Sequence, residues 1–514
     1  MINKSSNKNL YQLFKSRFPK DLSSDFLVHD RGVTSFWKLD NDSARFSAIL
    51  KKQGVTKGDR VVVQVEKSPE NVMLHLACLR AGAIYVPLNT AYTIPEIKYF
   101  INDAQPRLIV CDPKSEASII NDICTSKKSP SVLTLDNKGV GSIMDHLLSI
   151  DADPSIEPVN DDDLAAILYT SGTTGLSKGA MISHKNLISN ALVLHQYWQW
   201  QADDVLLHAL PIFHIHGLFV ALHCALLNAS KVLFHARFNT HKIIEDLPNA
   251  TVMMGVPTFY TRLLSSQAFT HKTSQNMRLF ISGSAPLLAE SFNAFEERSG
   301  HKILERYGMT EAGMITSNPY IGERIAGTVG FALPSVKARV VADTDATDEA
   351  KEVPRGDVGI LEITGPNVFL GYWQMPEKTT AEFREDGYFI TGDMATMDAE
   401  GRISIVGRSK DLVISGGFNI YPKEIENLID KVPEVIESAV IGVAHSDFGE
   451  GLTAVVVIDK ESRLSEATLK HYLSDKLAKF KQPKKIFFVP ELPRNVMGKV
   501  QKKELREVYA DIYT

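Results

Sequence analysis

Residues 169–180 read Tyr-Thr-Ser-Gly-Thr-Thr-Gly-Leu-Ser-Lys-Gly-Ala and follow the short apolar run Leu164 to Leu168. Glycine lets a backbone come close to an anion, and successive N–H groups then form a concave anion site. Ser171, Thr173, Thr174 and Ser177 add hydroxyl donors, and Lys178 adds a charge. That combination suits a polyphosphate. The spacing is not that of a Walker A loop, which needs four residues between its glycines and then Gly-Lys-Ser/Thr. Here Gly175-Leu-Ser-Lys178-Gly179 breaks both conditions. A plain surface glycine–serine loop is the alternative, and the ordered run of hydroxyls, glycines and one lysine argues against it.

Further polar or glycine-rich segments fall where strands should end. Ser282-Gly-Ser-Ala-Pro286 is a tight backbone wall suited to a flat ring. Glu305-Arg-Tyr-Gly-Met-Thr-Glu311 gathers an aromatic, a hydroxyl and a carboxylate. Tyr388-Phe-Ile-Thr-Gly-Asp393 reads as an apolar strand ending in a carboxylate. Gly407 to Gly417 combines charges with a glycine pair, and Pro493-Arg-Asn-Val-Met-Gly-Lys499 places a lysine on a glycine loop. Taken singly, Asp393 reads equally as a helix cap and Lys499 as a solvated lysine. His214-Ile-His216 would share a face on a strand, but no third ligand accompanies the pair, so zinc is not expected. Cys78, Cys111, Cys124 and Cys224 form no C-x-x-C pair and read as free thiols in a reducing compartment.

The elements that must position these residues are legible in outline. A chain of 514 residues, 44% apolar and 23% charged, predicts several folding units of an ordinary soluble protein. The net charge of −5 gives no electrostatic case for nucleic acid or an acidic membrane. No apolar run reaches the ~18 residues of a membrane span. Five basic residues among the first 20 faintly suggest a transit peptide. The helical spacing of Leu10, Leu13, Phe14 and Phe18 reads more simply as a docked helix, and a cytoplasmic location is expected. Strand-like Arg60 to Val65, helix-like Pro69 to Ala81, strand-like Ala83 to Pro87, a helix after Thr93 and strand-like Arg107 to Cys111 make a βαβ pattern. It returns at Asp204–Leu210, Lys231–Phe234, Ala250–Met254 and Met277–Ser282, with loops at strand C-termini, where such sheets bind ligands. From about Gly327 the pieces become short and β-rich. Near residue 410 begins a tail with predicted elements at Pro422–Asp430, Ser438–Val443, Thr453–Ile458, Glu466–Phe480 and Ile486–Val489.

In order and wording these segments resemble the adenylate-forming superfamily of acyl-CoA synthetases, peptide-synthetase adenylation domains and luciferases, over nearly the whole chain. The resemblance implies an α/β fold. A large N-terminal domain (1–409) would contain two doubly wound sheets plus a distorted β-barrel, and a small mobile α+β domain (410–514) would follow. It implies ATP, Mg²⁺ and coenzyme A: a carboxylate attacks the α-phosphate of ATP, and a thiol then displaces AMP. Thr170, Ser171, Gly172, Thr173, Thr174, Gly175 and Lys178 would hold phosphates, and Thr174 and Glu311 would bind Mg²⁺. Gly283, Ser284, Ala285, Pro286, Arg306, Tyr307, Gly308, Met309 and Thr310 would surround the nucleotide, with Asp393 and Arg408 on its ribose. Lys499 would reach the α-phosphate and the reacting carboxylate. Lys410 would be a hinge that swings Lys499 out and Ser415, Gly416 and Gly417 in, lining the thiol's path.

The acyl pocket is expected among Leu210–Gly217, His235–Phe238, Met253–Thr261, Ser282 and Met309–Ile315. Arg237 follows the apolar strand Val232–Phe234, where a guanidinium could reach the crevice and match a carboxylate; on composition alone a surface salt bridge is the simpler reading. The wording around Leu210-Pro-Ile-Phe-His-Ile-His-Gly, His235-Ala-Arg-Phe and Met254-Gly-Val-Pro-Thr-Phe-Tyr resembles malonyl-CoA synthetases. In these, the matching arginine binds the distal carboxylate of malonate, and His214, Ser282 and Met309 would line the same pocket. Methylmalonate would be a plausible second substrate. Ligases of another short or aromatic acid, and a free-standing enzyme that loads a carrier protein, remain alternatives.

Overall fold

A computed structural model describes residues 7–122, 124, 129–170, 177–415, 418–445, 448–474, 476–495 and 498–513. Two large sheets carry the first two-thirds of the chain. The six-stranded sheet runs in the order Ser131–Thr134, Leu108–Cys111, Arg60–Gln64, Ile84–Pro87, Leu164–Thr170, Lys178–Ser183. Only the pairing of the last two strands is antiparallel. The nine-stranded sheet has parallel Leu304–Met309, Leu279–Ser282, Val252–Gly255, Val205–His208, Lys231–Phe234 and Asp25–His29 at its centre, with antiparallel strands at both edges. A four-stranded antiparallel sheet, Lys337–Val341, Gly359–Thr364, Phe389–Met397 and Ile403–Arg408, occupies the place expected of the barrel. The tail builds its own five-stranded sheet around Val435–His445 and Gly449–Ile458. It packs in clusters of its own, such as Ile425, Ile429, Val440, Ala454 and Leu469.

The βαβ unit forms for local reasons. The hydroxyl of Ser68 caps the helix Pro69–Ala81 by accepting from the Asn71 N–H, Pro69 sits where its missing N–H costs nothing, and Gly82 ends the helix in the left-handed region at φ 64°. Every residue of this helix but Glu70 is buried, so its apolar character runs all round rather than along one stripe. The N-terminal helix Leu10–Lys15 docks as its spacing predicts, with Leu10, Tyr11 and Phe14 buried. The Leu10 N–H donates to His184 Nδ1 at 3.1 Å.

Three predicted elements differ. Asp393 lies inside the strand Phe389–Met397 rather than ending it, because Arg408 opposes it in register and satisfies its charge within the sheet. His214 and His216 are not on a strand. Val205–His208 ends first, Pro211 has no N–H to continue the ladder, and a buried π-helix follows over His216–Leu222. The tail helix is Glu466–Ser474, shorter than the span 466–480, with a separate 3-10 turn at Lys479–Lys481. Among the described residues no helix is long and apolar enough to cross a membrane.

Candidate functional site

The strand Leu164–Thr170 points at the glycine–hydroxyl loop, and Lys178–Ser183 returns from it with Lys178 opposite Thr170. Ser171, Gly172, Thr173, Thr174 and Gly175 lie outside the described residues. Lys178 is buried, its Nζ donates to Glu382 Oε1 at 3.0 Å, and it sits 4.1 Å over the Tyr372 ring. The Tyr372 hydroxyl lies 2.6 Å from Glu382 Oε2 and 3.1 Å from Glu311 Oε1, while Thr170 Oγ1 is 3.5 Å from Glu311. Burial raises the Glu311 carboxyl above its ordinary range. No basic side chain pairs with it directly among the described residues, and its close partners are two hydroxyls. It is therefore a buried oxygen donor with no direct ion pair, beside the anion loop, with the charges of Arg408 and Lys178 acting on it from farther off.

A second group forms where the four-stranded sheet meets the end of the nine-stranded one. Asp393 and Arg408 are cross-strand neighbours, and Arg408 Nε donates to Asp393 Oδ1 at 2.7 Å. The Tyr307 hydroxyl donates to the other carboxylate oxygen of Asp393. Burial first, and then this carboxylate, push the Tyr307 phenol well above its usual range. Lys499 faces the same group. Its hairpin is closed by the Arg494–Val500 bridge and by Asn495 Oδ1 accepting from the Lys499 N–H at 2.9 Å. Gly498 rests on Thr258 of the N-terminal part: a Cβ there would lie 3.3 Å from the threonine side chain, and its φ of 75° favours glycine. Lys499 keeps solvent access, yet the cleft walls and then the Arg408 guanidinium push its ammonium below the usual lysine range. Lys410 lies beside it on the 3-10 turn Ser409–Asp411, lowered by the same two causes. Ser415 is buried in the tail's sheet opposite Phe418 and Gly449, and Gly416 and Gly417 lie outside the described residues.

The third group is the rim of the nine-stranded sheet. His208 is in register with Phe234, and Gly255 with Ser282, at the ends of neighbouring parallel strands. The Ser282–Pro286 wall follows, with Gly283 buried, Ala285 partly covered and Pro286 exposed. Ser284 takes φ 71°, a costly conformation for a residue with a Cβ, and its hydroxyl meets His216 Nδ1 at 3.2 Å. Arg306 lies under Gly283, where a Cβ would come within 2.5 Å of the guanidinium. It is 3% exposed, it has no carboxylate partner among the described residues, and its Nε and Nη2 are unpaired. Burial pushes it down to about 9, still charged at neutral pH. His216 Nε2 and Ser282 Oγ are also buried without partners. Buried polar groups are normally satisfied, so three orphans around one glycine mark a ligand site.

Arg237 emerges just past Phe234. It is exposed and has no ion pair or hydrogen bond among the described residues, so the simpler salt-bridge reading of it fails. Its neighbours are engaged: Phe238 stacks on Phe259 at 4.1 Å, and His235 Nε2 meets Asp246 at 2.9 Å. Burial lowers His214 to about 4, so it is neutral at physiological pH. Gly308, Met309 and Thr310 form the bulged hairpin into Gly313–Ser317, with Met309 Sδ 3.9 Å from the Tyr307 hydroxyl.

Sequence reasoning missed Tyr372 and Glu382, which hold Glu311 and Lys178, and the His216–Ser284 contact. Arg306 was expected around the nucleotide. Alternation along Leu304–Met309 turns Arg306 away from Tyr307, toward Gly283 and Tyr260.

The family model described as "AMP-binding enzyme" matches residues 17–373, and that for the "AMP-binding enzyme C-terminal domain" matches residues 424–499. The chain is 52% identical to ATP-bound MatB from Rhodopseudomonas palustris over 99% of this chain and 100% of that one, with a TM-score of 0.95. Against the apo structure of MatB the TM-score is 0.84. It is 32% identical to a malonate–CoA ligase of Arabidopsis thaliana over 98% of this chain and 90% of the relative. With a mitochondrial malonate–CoA ligase of Mus musculus it shares 33% identity over 89% and 81%.

Proposed function

The chain belongs to the AMP-binding enzyme family, and from that premise we propose that it is an ATP-dependent malonate–CoA ligase, producing malonyl-CoA, AMP and pyrophosphate. One observation carries the choice of acid. The rim of the nine-stranded sheet holds two arginines, Arg237 and Arg306, with no carboxylate partner among the described residues, beside the orphaned Ser282 and His216. A monoacid would leave these groups unmatched, whereas a site built on a polar partner rejects analogues lacking it. The malonate–CoA ligases among the relatives support the same reading. Methylmalonate, one methyl larger, is the second substrate of this reading.

In the first step a carboxylate oxygen of malonate bonds to the α-phosphorus, and the bond from that phosphorus to the bridging oxygen of pyrophosphate breaks. Lys499, a compact cation on a short hairpin, meets the charge that develops between carboxylate and phosphate. Asp393, held by Arg408 and Tyr307, takes the ribose, and the Gly283–Pro286 wall with Tyr307 to Thr310 takes the adenine. Arg306 we assign to the acyl side. Glu311 fits Mg²⁺, which prefers hard oxygens and phosphate company: it is a buried carboxylate whose side-chain partners among the described residues are the hydroxyls of Tyr372 and Thr170. Thr174 would join it. When bound, the ion offsets phosphate charge, while Thr170 to Lys178 supply the surrounding donors.

In the second step the thiol sulfur of CoA bonds to the acyl carbon, the carbon–oxygen bond to AMP breaks, and the thiol proton leaves to solvent. Lys410 lies between Ile403–Arg408 of the four-stranded sheet and Val413–Ser415 of the tail's sheet, which supports a division into 1–409 and 410–514 and a rotation there that withdraws Lys499 and brings Ser415, Gly416 and Gly417 to the thiol's path. The free thiols at Cys78, Cys111, Cys124 and Cys224 support a reducing, cytoplasmic setting.

The test is to mix enzyme, ATP, Mg²⁺ and malonate without CoA and to look for malonyl-AMP by mass spectrometry. Adding CoA should convert it to malonyl-CoA. A product carrying phosphate rather than AMP on the acid would overturn the proposal.

A further inference from the structure

A buried lysine outside the groups above bears on the same pocket. Lys67 follows the strand Arg60–Gln64 of the six-stranded sheet, but its side chain crosses the seam into the rim of the nine-stranded one. It is 7% exposed. Its Nζ donates to His208 Nδ1 at 2.6 Å and to the His208 carbonyl at 3.1 Å, and it lies 4.3 Å over the Phe234 ring. No carboxylate pairs with it among the described residues. Asp246, the carboxylate of this neighbourhood, is taken by His235. Burial pushes it well below the usual lysine range, and an amine held this deep without a counter-charge is expensive, so its retention calls for a reason beyond packing.

His208 passes the contact on. Its Nε2 donates to the Gly217 carbonyl at 2.9 Å, which leaves Nδ1 as the acceptor from Lys67. The His208 carbonyl also accepts the N–H of His235 at 3.0 Å. One lysine thus fixes two turns. The first carries His216, with Gly217 packed so closely that a Cβ would lie 2.0 Å from the Pro211 carbonyl. The second, 235–238, carries Arg237. Burial lowers His235 against the pull of Asp246, and a proton on Lys67 would add to that lowering.

We propose that Lys67 is a specificity-determining positioning residue. By gripping His208 across the seam it holds the turns that present Arg237 and His216, and it places a protonatable amine beneath the acyl pocket, so that the site takes an acid with a second carboxylate. This rests on the malonate reading.

The experiment compares wild type, Lys67→Met and Lys67→Gln on malonate and on malonamate, its monoanionic amide isostere. Thermal melts and the KM for ATP are measured beside them. In Lys67→Met the malonate-to-malonamate ratio of kcat/KM falls about tenfold, mainly through the malonate KM, as expected for a lost cation near the bound carboxylate. The KM for ATP stays within about twofold, because uniform binding of the nucleotide is untouched. Lys67→Gln, which keeps a donor without the charge, shows the same loss of ratio and decides the matter if Lys67→Met does not fold. An unchanged ratio, with both acids falling together, overturns the role of Lys67 and leaves the malonate reading standing. A wild-type enzyme that does not prefer malonate to malonamate overturns both.

Discussion

Replacing Arg237 by glutamine removes a charge that makes no ion pair or hydrogen bond among the described residues. Arg237 is exposed and unpaired among the described residues, so its loss should leave folding alone. Surface changes of this kind stay within about 0.5 kcal/mol, so Tm should move by less than about 2 °C. The substrate pays the whole cost. Two charge-assisted hydrogen bonds to a distal carboxylate are worth about 1.5–3 kcal/mol each. The side chain is open to solvent, so the lower end applies and the pair contributes about 3 kcal/mol, or roughly 150-fold in kcat/KM for malonate. Malonamate offers only a neutral amide at that end and should lose about threefold. The assay is initial-rate pyrophosphate release with each acid, beside a thermal melt. A Tm drop of several degrees, or equal losses on the two acids, would refute the assignment, because Arg237 would then be holding structure rather than reading the acid.

Lys499→Met should slow malonyl-AMP formation by about 10³-fold or more while CoA-dependent consumption of preformed malonyl-AMP stays within about threefold; equal loss of both half-reactions would contradict the division of labour. Asp393→Ala strips Arg408 of its carboxylate inside the sheet, and breaking such a buried pair should cost about 3 kcal/mol of stability together with ATP affinity; an unchanged melt would count against it. Stability should also fall in mild acid. Burial holds His75 at about 3 and His184 at about 4 in the folded chain, whereas the unfolded imidazoles take up protons near 6.5. The unfolded state therefore binds more protons as pH drops from about 6.5 toward 4, and stability falls by about 2 kcal/mol per histidine between pH 7 and pH 5. Urea unfolding at the two pH values reads this directly, and a flat profile would contradict it.

Elements marked by local punctuation were legible in the sequence. Ser68, Pro69 and Gly82 delimit a helix whatever packs on it, and the runs at Lys231–Phe234 and Leu164–Leu168 announce strands by their β-branched and aliphatic content. The polar residues of the glycine-rich segments were legible as well, because their types suit phosphate and ribose. Pairing was not. Asp393 and Arg408 meet because two antiparallel strands adopt one register, and Lys178 meets Glu382 across 204 residues. No local pattern encodes either contact. Arg306 sits between Glu305 and Tyr307 in the chain, and only strand alternation sends it to the other face. Lys67 looks like an ordinary lysine ahead of a helix cap. Its burial follows from the seam between two sheets, which sequence periodicity does not describe.

The central claim is tested most directly by pyrophosphate release with ATP, Mg²⁺ and CoA across acetate, malonate, methylmalonate, succinate, octanoate and coumarate. Unmatched arginines in the acyl pocket should set acetate and octanoate below malonate by about 10⁴-fold in kcat/KM, with methylmalonate second and succinate excluded by length. A monoacid turned over as well as malonate would contradict the account, for then neither Arg237 nor Arg306 reads the substrate.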